Sequence, residues 1–396
     1  GISLIMVGGA AGAGRAMLAM CMALLCLNSA AIARTAEAGQ PPDPLVAECE
    51  IEKDAQSCAA MAIKHYEGRD VEQSHERARA FSAKACDFGE MMGCNLLGAL
   101  MEDGLGGAKD MKGAADLYRK ACANGYDGAC YNVGTILYGN PARSPADMAE
   151  ARRMFAVGCE AGIPDSCNDQ GVMLKLGEGG EQDLPTARSL YARACEAGLA
   201  DGCANSGYML LAGEGGPKQP EAAAPLLETA CQSGSMFACD NLGIVLLNGL
   251  AGDRQPQEAQ RLFRLACDGG LGNACLNLAG MLYNGIVGQA DLAQARATFA
   301  TGCEHGSLDA CKLLAQMAFD GEGGTSDKAM ARRIYSELCE KFAVADSCVV
   351  FGVIAENGAG GPRDSDAALR AFDTGCNLGD RDACLFRDAR QKEQPE

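Results

Sequence analysis

Residues 121–134 read ACANGYDGACYNVG, and residues 266–279 read ACDGGLGNACLNLA. Both stretches hold two cysteines eight positions apart, with an alanine before each cysteine and a glycine three residues after the first. From residue 34 onward every cysteine belongs to such a pair, with an offset of 8 or 9, and successive pairs follow at steps of 36 or 37 residues. A fixed period of this length predicts stacked helical hairpins. The ten pairs are Cys49 with Cys58, Cys86 with Cys94, Cys122 with Cys130, Cys159 with Cys167, Cys195 with Cys203, Cys231 with Cys239, Cys267 with Cys275, Cys303 with Cys311, Cys339 with Cys348, and Cys376 with Cys384.

Other residues keep the same period and indicate two helices per repeat. Ala114 and Tyr118 precede Cys122 by eight and four residues, and these offsets share one helical face. Gly125 is expected to end that helix in a left-handed cap, a role for which Phe342 is unsuited in the ninth pair. Gly134 belongs to a series of small residues four positions after the second cysteine that starts at Ala62, and this series predicts close contact between helices. We call the helix that starts near the second cysteine the first helix of a repeat, and the helix that ends near the next pair its second helix.

The period divides the chain into four segments. We expect a signal peptide in residues 1–33, an N-terminal half repeat or cap in residues 34–57, nine repeats of 36–37 residues in residues 58–383, and a C-terminal capping helix and tail in residues 384–396. The fold class is all-α, an αα-hairpin repeat solenoid with one disulfide per repeat.

The cysteines admit two interpretations, disulfides or metal binding. A tight turn between antiparallel helices brings its flanking residues within the Cα–Cα range of a disulfide, about 4.4–6.8 Å. Zinc sites favour C-x-x-C or nearby histidines, whereas this chain lacks C-x-x-C and its histidines, His65, His75 and His305, are scattered. We therefore expect ten disulfides and no metal or other cofactor.

The N-terminal residues indicate export. Arg15 precedes an apolar run at residues 16–27, and Ala31-Ile32-Ala33 follows as a cleavage site. This is the pattern of a secretory signal peptide, although a retained anchor remains an alternative. The apolar run is too short for a comfortable membrane span, and no second such run follows. We expect a periplasmic or secreted protein without a membrane span in its mature form.

The charge balance limits the classes of partner that the protein can bind. With 34 Lys+Arg against 52 Asp+Glu, the net charge is −18. A surface this acidic repels phosphate backbones and anionic lipids. We therefore predict that the protein does not bind nucleic acid. The acidity fits either cationic partners or a merely solvated surface.

The repeat resembles the SEL-one-like repeat, a relative of the tetratricopeptide repeat, over about residues 45–390. The two quoted stretches carry the resemblance, and their paired cysteines are similar to those of the Helicobacter cysteine-rich proteins. The resemblance implies a right-handed superhelix of hairpins and a secreted or periplasmic binding protein, and several members bear a β-lactamase or penicillin-binding label.

The sequence offers no catalytic motif for that label. S-x-x-K, K-T-G and G-x-S-x-G are all absent, and we expect no catalytic residue. The serines that recur in the repeats are expected at turns; they are Ser166, Ser233, Ser307 and Ser347. The alternative function is a weak β-lactam-binding or β-lactamase-like hydrolase acting on penicillin or muropeptide-like ligands.

Asparagines mark the candidate binding residues. They stand two positions after the second cysteine and are Asn132, Asn205, Asn241 and Asn277. In tetratricopeptide-like solenoids the first helix lines the groove, and an Asn there can hydrogen-bond the backbone of a bound peptide. The alternative is that each Asn satisfies a neighbouring helix end or turn, and Asn95 and Asn168 lie one residue out of phase. The expected partners are proteins or peptides, including cell-wall-derived ligands, and we expect a monomer.

Overall fold

The computed structural model describes residues 43–393, with side chains described as far as residue 390. The expected signal peptide, residues 1–33, lies outside the described residues. Within residues 43–393 the chain forms twenty α-helices and no strand. The chain divides into two compact halves, an N-terminal half that ends at Lys218 and a C-terminal half that begins at Gln219.

The N-terminal half contains ten helices. They are α1 (Pro44–Glu50), α2 (Ala55–Glu67), α3 (His75–Asp87), α4 (Met91–Asp103), α5 (Met111–Ala123), α6 (Asp127–Gly139), α7 (Pro145–Glu160), α8 (Pro164–Leu176), α9 (Leu184–Glu196) and α10 (Ala200–Ala212). Helix α1 supplies half a hairpin, and the remaining helices of this half alternate between first and second helices of successive repeats.

The C-terminal half continues the alternation. Its helices are α11 (Pro220–Gln232), α12 (Met236–Asn248), α13 (Pro256–Asp268), α14 (Gly272–Asn284), α15 (Leu292–Glu304), α16 (Leu308–Asp320), α17 (Lys328–Glu340), α18 (Ala345–Glu356), α19 (Ser365–Asn377) and α20 (Arg381–Glu393). Successive helices pair into four hairpins in each half, α2 to α9 in the N-terminal half and α12 to α19 in the C-terminal half.

All ten cysteine pairs form disulfides. Cys122 near the end of α5 is bonded to Cys130 near the start of α6, with a Cα–Cα distance of 4.8 Å. The other nine bridges have the same placement and join Cys49 to Cys58, Cys86 to Cys94, Cys159 to Cys167, Cys195 to Cys203, Cys231 to Cys239, Cys267 to Cys275, Cys303 to Cys311, Cys339 to Cys348, and Cys376 to Cys384. The predicted all-helical hairpin fold with one bridge per repeat is confirmed, because each bridge ties a second helix to the first helix of the next repeat.

The turn under each bridge depends on a residue with left-handed backbone. Gly125 has φ 86°, which a glycine adopts without a steric penalty. In the two pairs spaced by nine residues the left-handed position falls on other residues, Lys53 (φ 56°) and Ala343 (φ 53°). The extra residue moves this position from Phe342 to Ala343, which explains why the glycine pattern is interrupted there.

The recurring small residues make room for aromatic rings. A Cβ added to Gly134 would lie 2.6 Å from Cε1 of Phe155, so a side chain there would overlap the ring. Phe155 is 1% exposed and comes from the second helix of the same hairpin, four residues before Cys159. The predicted small and large positions therefore pack on each other, and equivalent contacts join Gly98 to Tyr118, Gly171 to Tyr191, Gly243 to Phe263, and Gly352 to Phe372.

An arginine joins neighbouring repeats at a second point. Arg152 on α7 donates from Nη1 to the backbone oxygen of Glu181, at 2.9 Å, in the glycine-rich loop after α8. Its guanidinium group lies over Gly180, where a Cβ would come within 2.7 Å of Nη1. The same arrangement occurs five times, in the contacts Arg79–Ala108, Arg152–Glu181, Arg188–Pro217, Arg296–Thr325 and Arg332–Pro362. We call these contacts the arginine clasps.

Candidate binding surface

The first helices carry side chains that reach from one repeat to the next. Helix α4 packs on its neighbour α2, α8 on α10, α14 on α16 and α18 on α20. We call the surface formed by the first helices of one half its first-helix surface. The residues that follow the second cysteine by one or two positions face each other along it.

Three of the four candidate asparagines bond to the preceding repeat. Asn132 Nδ2 donates to Asn95 Oδ1 at 2.8 Å, and Asn205 Nδ2 donates to Asn168 Oδ1 at 2.9 Å. Asn95 and Asn168, which looked out of phase in the sequence, are therefore the acceptors of these bonds. A residue one position after the cysteine pairs with a residue two positions after the cysteine of the next repeat.

The same register continues in the C-terminal half. Asn277 Nδ2 donates to Asp240 Oδ1 at 2.8 Å. Asp240 is 5% exposed, and burial raises its pKa to about 6 even though the hydrogen bond from Asn277 acts in the opposite direction. A buried carboxyl thus occupies the position that Asn95 and Asn168 hold in other repeats.

The four candidates differ in how far solvent reaches them. Asn241 is fully buried and donates to the backbone oxygen of Phe237 at 2.8 Å, one turn earlier in the same helix. Asn205 is also buried, whereas Asn132 and Asn277 are half-buried. The bond to the neighbouring repeat uses one of the two N–H groups of each amide. A role in peptide binding stays a prediction for these residues, and Asn132 and Asn277 are the two that solvent reaches best.

An acidic cluster lies on the first-helix surface of the N-terminal half. Burial raises the pKa of Asp169 to about 7, and the negative charges of Asp165 and Asp201 act in the same direction. The hydroxyl of Tyr131 donates to Asp169, again from one repeat to the next. Near neutral pH this carboxyl is therefore partly protonated.

The C-terminal half has a cavity on its first-helix surface. It has a volume of about 290 Å³ and lies between α14 and α16, with Phe299 of α15 behind it. Phe299 and Met317 form its apolar wall, and Leu313 is 39% exposed at its edge. The hydroxyl of Tyr283 donates to Glu322 Oε2 at 3.0 Å and places a carboxylate beside the opening. Sequence reasoning missed this cavity because its residues come from three helices and one loop of two repeats.

The recurring serines are placed for packing and capping. Ser166 is fully buried, and its Oγ lies where a side chain on Gly158 would have to be. Ser307 and Ser347 are 3% and 1% exposed, and Ser307 caps α16. Ser233 is exposed and donates to the backbone oxygen of Thr229 at 2.9 Å. Within the described residues, the surroundings of these four serines are thus those of residues that pack, cap a helix or bond to the backbone.

Hairpins joined at every turn by a disulfide, with polar residues linking neighbouring first helices, define a class of disulfide-linked helical repeat scaffolds. The chain belongs to the Sel1 repeat family. The Sel1 repeat model matches nine segments, residues 55–88, 92–126, 128–163, 164–199, 200–235, 237–271, 272–306, 308–341 and 351–380.

Solved structures agree with this assignment. The chain is similar to a Sel1 repeat protein from Oxalobacter formigenes, with 20% identity, a TM-score of 0.64, and coverage of 93% of this chain and 99% of that one. It is also similar to c5321, a protective antigen of uropathogenic Escherichia coli strains with an SLR fold, with 20% identity, a TM-score of 0.59, and coverage of 89% and 82%. Both likenesses show the fold.

A third similarity has higher identity over a shorter length. Helicobacter pylori cysteine-rich protein B is 30% identical over 33% of this chain and 93% of its own, with a TM-score of 0.27. No curated protein matches the sequence.

The ten disulfides are typical of an oxidising compartment. None of the helices between residues 43 and 393 has the length and apolar character needed to cross a bilayer.

Proposed function

We propose that this protein is an extracytoplasmic scaffold that binds an extended segment of a partner protein on its first-helix surface. The observation that carries the proposal is the cavity between α14 and α16, which opens on that surface and is lined by apolar side chains such as Phe299 together with polar ones such as Gln316. Protein interfaces concentrate their binding energy where a side chain of one partner fills such a pocket in the other.

Two further features support the proposal. The disulfides and the predicted signal peptide both fit a location outside the cytoplasm. The half-buried Asn277 lies on the same helix as the cavity residue Gly280, one turn earlier. An amide at that point has both donor and acceptor groups for the backbone of an extended segment.

Photo-crosslinking tests the surface. A benzophenone amino acid replaces Leu313 on the first helix α16 or, as a matched control, Leu265 on the second helix α13. The two leucines are 39% and 41% exposed and belong to the same half. Each oxidised protein is irradiated with an envelope extract of the producing cells, with and without excess unlabelled protein.

We expect protein adducts from position 313 that unlabelled protein suppresses, and none of comparable yield from position 265. Equal adducts from both positions, or specific adducts from position 265 alone, would contradict the proposal because the first-helix surface would then have no preference for a partner.

A further inference from the structure

Gly280 is a glycine in a helix interior that the packing of the chain does not require. Glycine lowers helix stability relative to alanine, and the other glycines at this level of the first helices are needed for space. A Cβ on Gly243 would lie 2.7 Å from Phe263, whereas a Cβ on Gly280 would meet nothing within 4 Å. In this repeat the close-packing position is occupied by Ala279, so Gly280 is an additional small residue.

The space above Gly280 belongs to the cavity between α14 and α16. A side chain at position 280 would therefore take up space at the lining of the cavity. Its volume of about 290 Å³ lies just below the range for small-molecule sites, about 300–1,000 Å³. The size suits one bulky side chain of a partner segment better than an extended cofactor.

The opening of the cavity is acidic. The Glu322 carboxylate accepts the hydrogen bond from Tyr283, and this bond together with the charges of Glu322 and Asp320 raises the pKa of the Tyr283 hydroxyl. Lys312, the neighbour of Leu313 on α16, has its Nζ 2.6 Å from Asp346. Arg296 donates to the backbone oxygens of Glu322 and Thr325. Lys312 is thus paired with Asp346, and Arg296 is bonded to backbone oxygens rather than to the Glu322 carboxylate, which leaves that carboxylate to a cation supplied by the partner.

We propose that the cavity lined by Gly280 binds a large apolar side chain of a partner segment, with a lysine or arginine next to it in the partner's sequence paired with Glu322. The inference rests on the proposed function and specifies its ligand. Gly280 determines specificity because any larger residue there fills the site, and the apolar contact with Phe299 and Met317 supplies affinity.

The experiment selects peptides from a random 12-residue phage library on the oxidised wild-type protein. The selected peptides are then measured by fluorescence anisotropy against Gly280→Phe. The fold should tolerate this change, since space is open at that position, and circular dichroism and the thermal midpoint check it. Gly139→Phe is the matched control, because Gly139 is a helical glycine with nothing within 4 Å of an added Cβ and lies in the other half.

We expect the selected peptides to share a large apolar residue adjacent to Lys or Arg. Gly280→Phe should weaken their binding at least tenfold, and Gly139→Phe should leave it within twofold. Selected peptides that bind Gly280→Phe as well as wild type would overturn the cavity inference while peptide binding stood. A library that yields no binder would overturn the proposed function as well.

Two further variants keep the test decisive if Gly280→Phe does not fold. Leu313→Ser removes an exposed apolar edge and should weaken the same peptides severalfold. Glu322→Gln keeps an acceptor for Tyr283 but removes the charge, so it should weaken binding and reduce its dependence on salt. Unchanged binding by both variants would contradict the assignment of the cavity.

Discussion

At the scale of single residues, the polar groups between first helices are arranged by the register of neighbouring repeats. Asn132 and Asn205 each donate to an asparagine of the preceding repeat, and Asn277 donates to Asp240 in the equivalent place. Asparagine supplies the acceptor as a neutral side chain, so no charge is desolvated. A carboxylate at the same buried position is destabilised by desolvation when it is ionised. Among the acceptors Asn95, Asn168 and Asp240, Asp240 is therefore the one that contributes least to stability when it is ionised.

Replacing Asp240 by Asn should stabilise the protein at neutral pH. The folded-state pKa of about 6 lies above the ordinary value of 3.8, so folding favours the protonated acid. The native Asp contributes its full stability only below about pH 4 and loses it as pH rises through 6. We expect Asp240→Asn to raise the unfolding free energy by about 1–3 kcal/mol at pH 8 and to change it little at pH 4.

Denaturant unfolding of the oxidised protein at the two pH values measures this difference. Asp268→Asn, at the end of α13 where the side chain is exposed, serves as the control. A stabilisation by Asp240→Asn that is the same at pH 4 and pH 8 would show that ionisation is not its cause.

At the scale of helices, two kinds of contact recur in the repeats: the packing of aromatic rings on glycines and the arginine clasps. The first could be predicted from the sequence more easily than the second. The glycine positions share one period, so close contact between helices could be predicted there, whereas the aromatic ring that packs on each glycine is seen only in the structure. The arginine clasps were missed although a signal existed. Each Arg follows the periodic alanine wherever the next repeat has a G-x-G-G loop, and elsewhere that position holds Ala115, Ala224, Gln260 or Leu369. The signal spans two repeats, and a search within one repeat cannot find it.

The two helical glycines, Gly134 and Gly280, should respond oppositely to alanine. Gly134→Ala introduces a Cβ against the Phe155 ring and should lower the unfolding free energy by about 1–3 kcal/mol through overpacking. Gly280→Ala meets no neighbour and should raise it by about 0.5–1 kcal/mol. Urea unfolding under non-reducing conditions measures both. Stabilisation by Gly134→Ala would contradict the close packing of ring on backbone.

Removing an arginine clasp should loosen the loop that it holds. Arg152→Ala deletes the bond to the Glu181 carbonyl, and because hydrogen bonds to charged groups are stronger than neutral ones we expect a loss of about 1–2 kcal/mol. Amide exchange in residues 177–182 should accelerate. Arg153→Ala, an exposed neighbour on the same helix, should change stability by less than about 0.5 kcal/mol. Equal effects of the two variants would mean that the clasp contributes nothing specific.

At the scale of the whole molecule, the period of the cysteines allowed the fold to be predicted, whereas the binding surface depended on contacts that no period reveals. The ten bridges join neighbours along the chain and close loops of eight or nine residues. On the loop-entropy model each should stabilise the folded state by about 2–3 kcal/mol. The cavity between α14 and α16, by contrast, forms where residues of two repeats meet beside Gly280. A single sequence does not show which residues of neighbouring repeats meet.

The most direct test of the covalent linkage between repeats is mass spectrometry of the non-reduced protein after alkylation of free thiols and proteolysis. We predict ten intramolecular links, each joining a cysteine to the one eight or nine residues later, and no alkylated thiol among these twenty cysteines. Mostly alkylated cysteines, retained metal, or links between different pairs would contradict the structure of bridged hairpins.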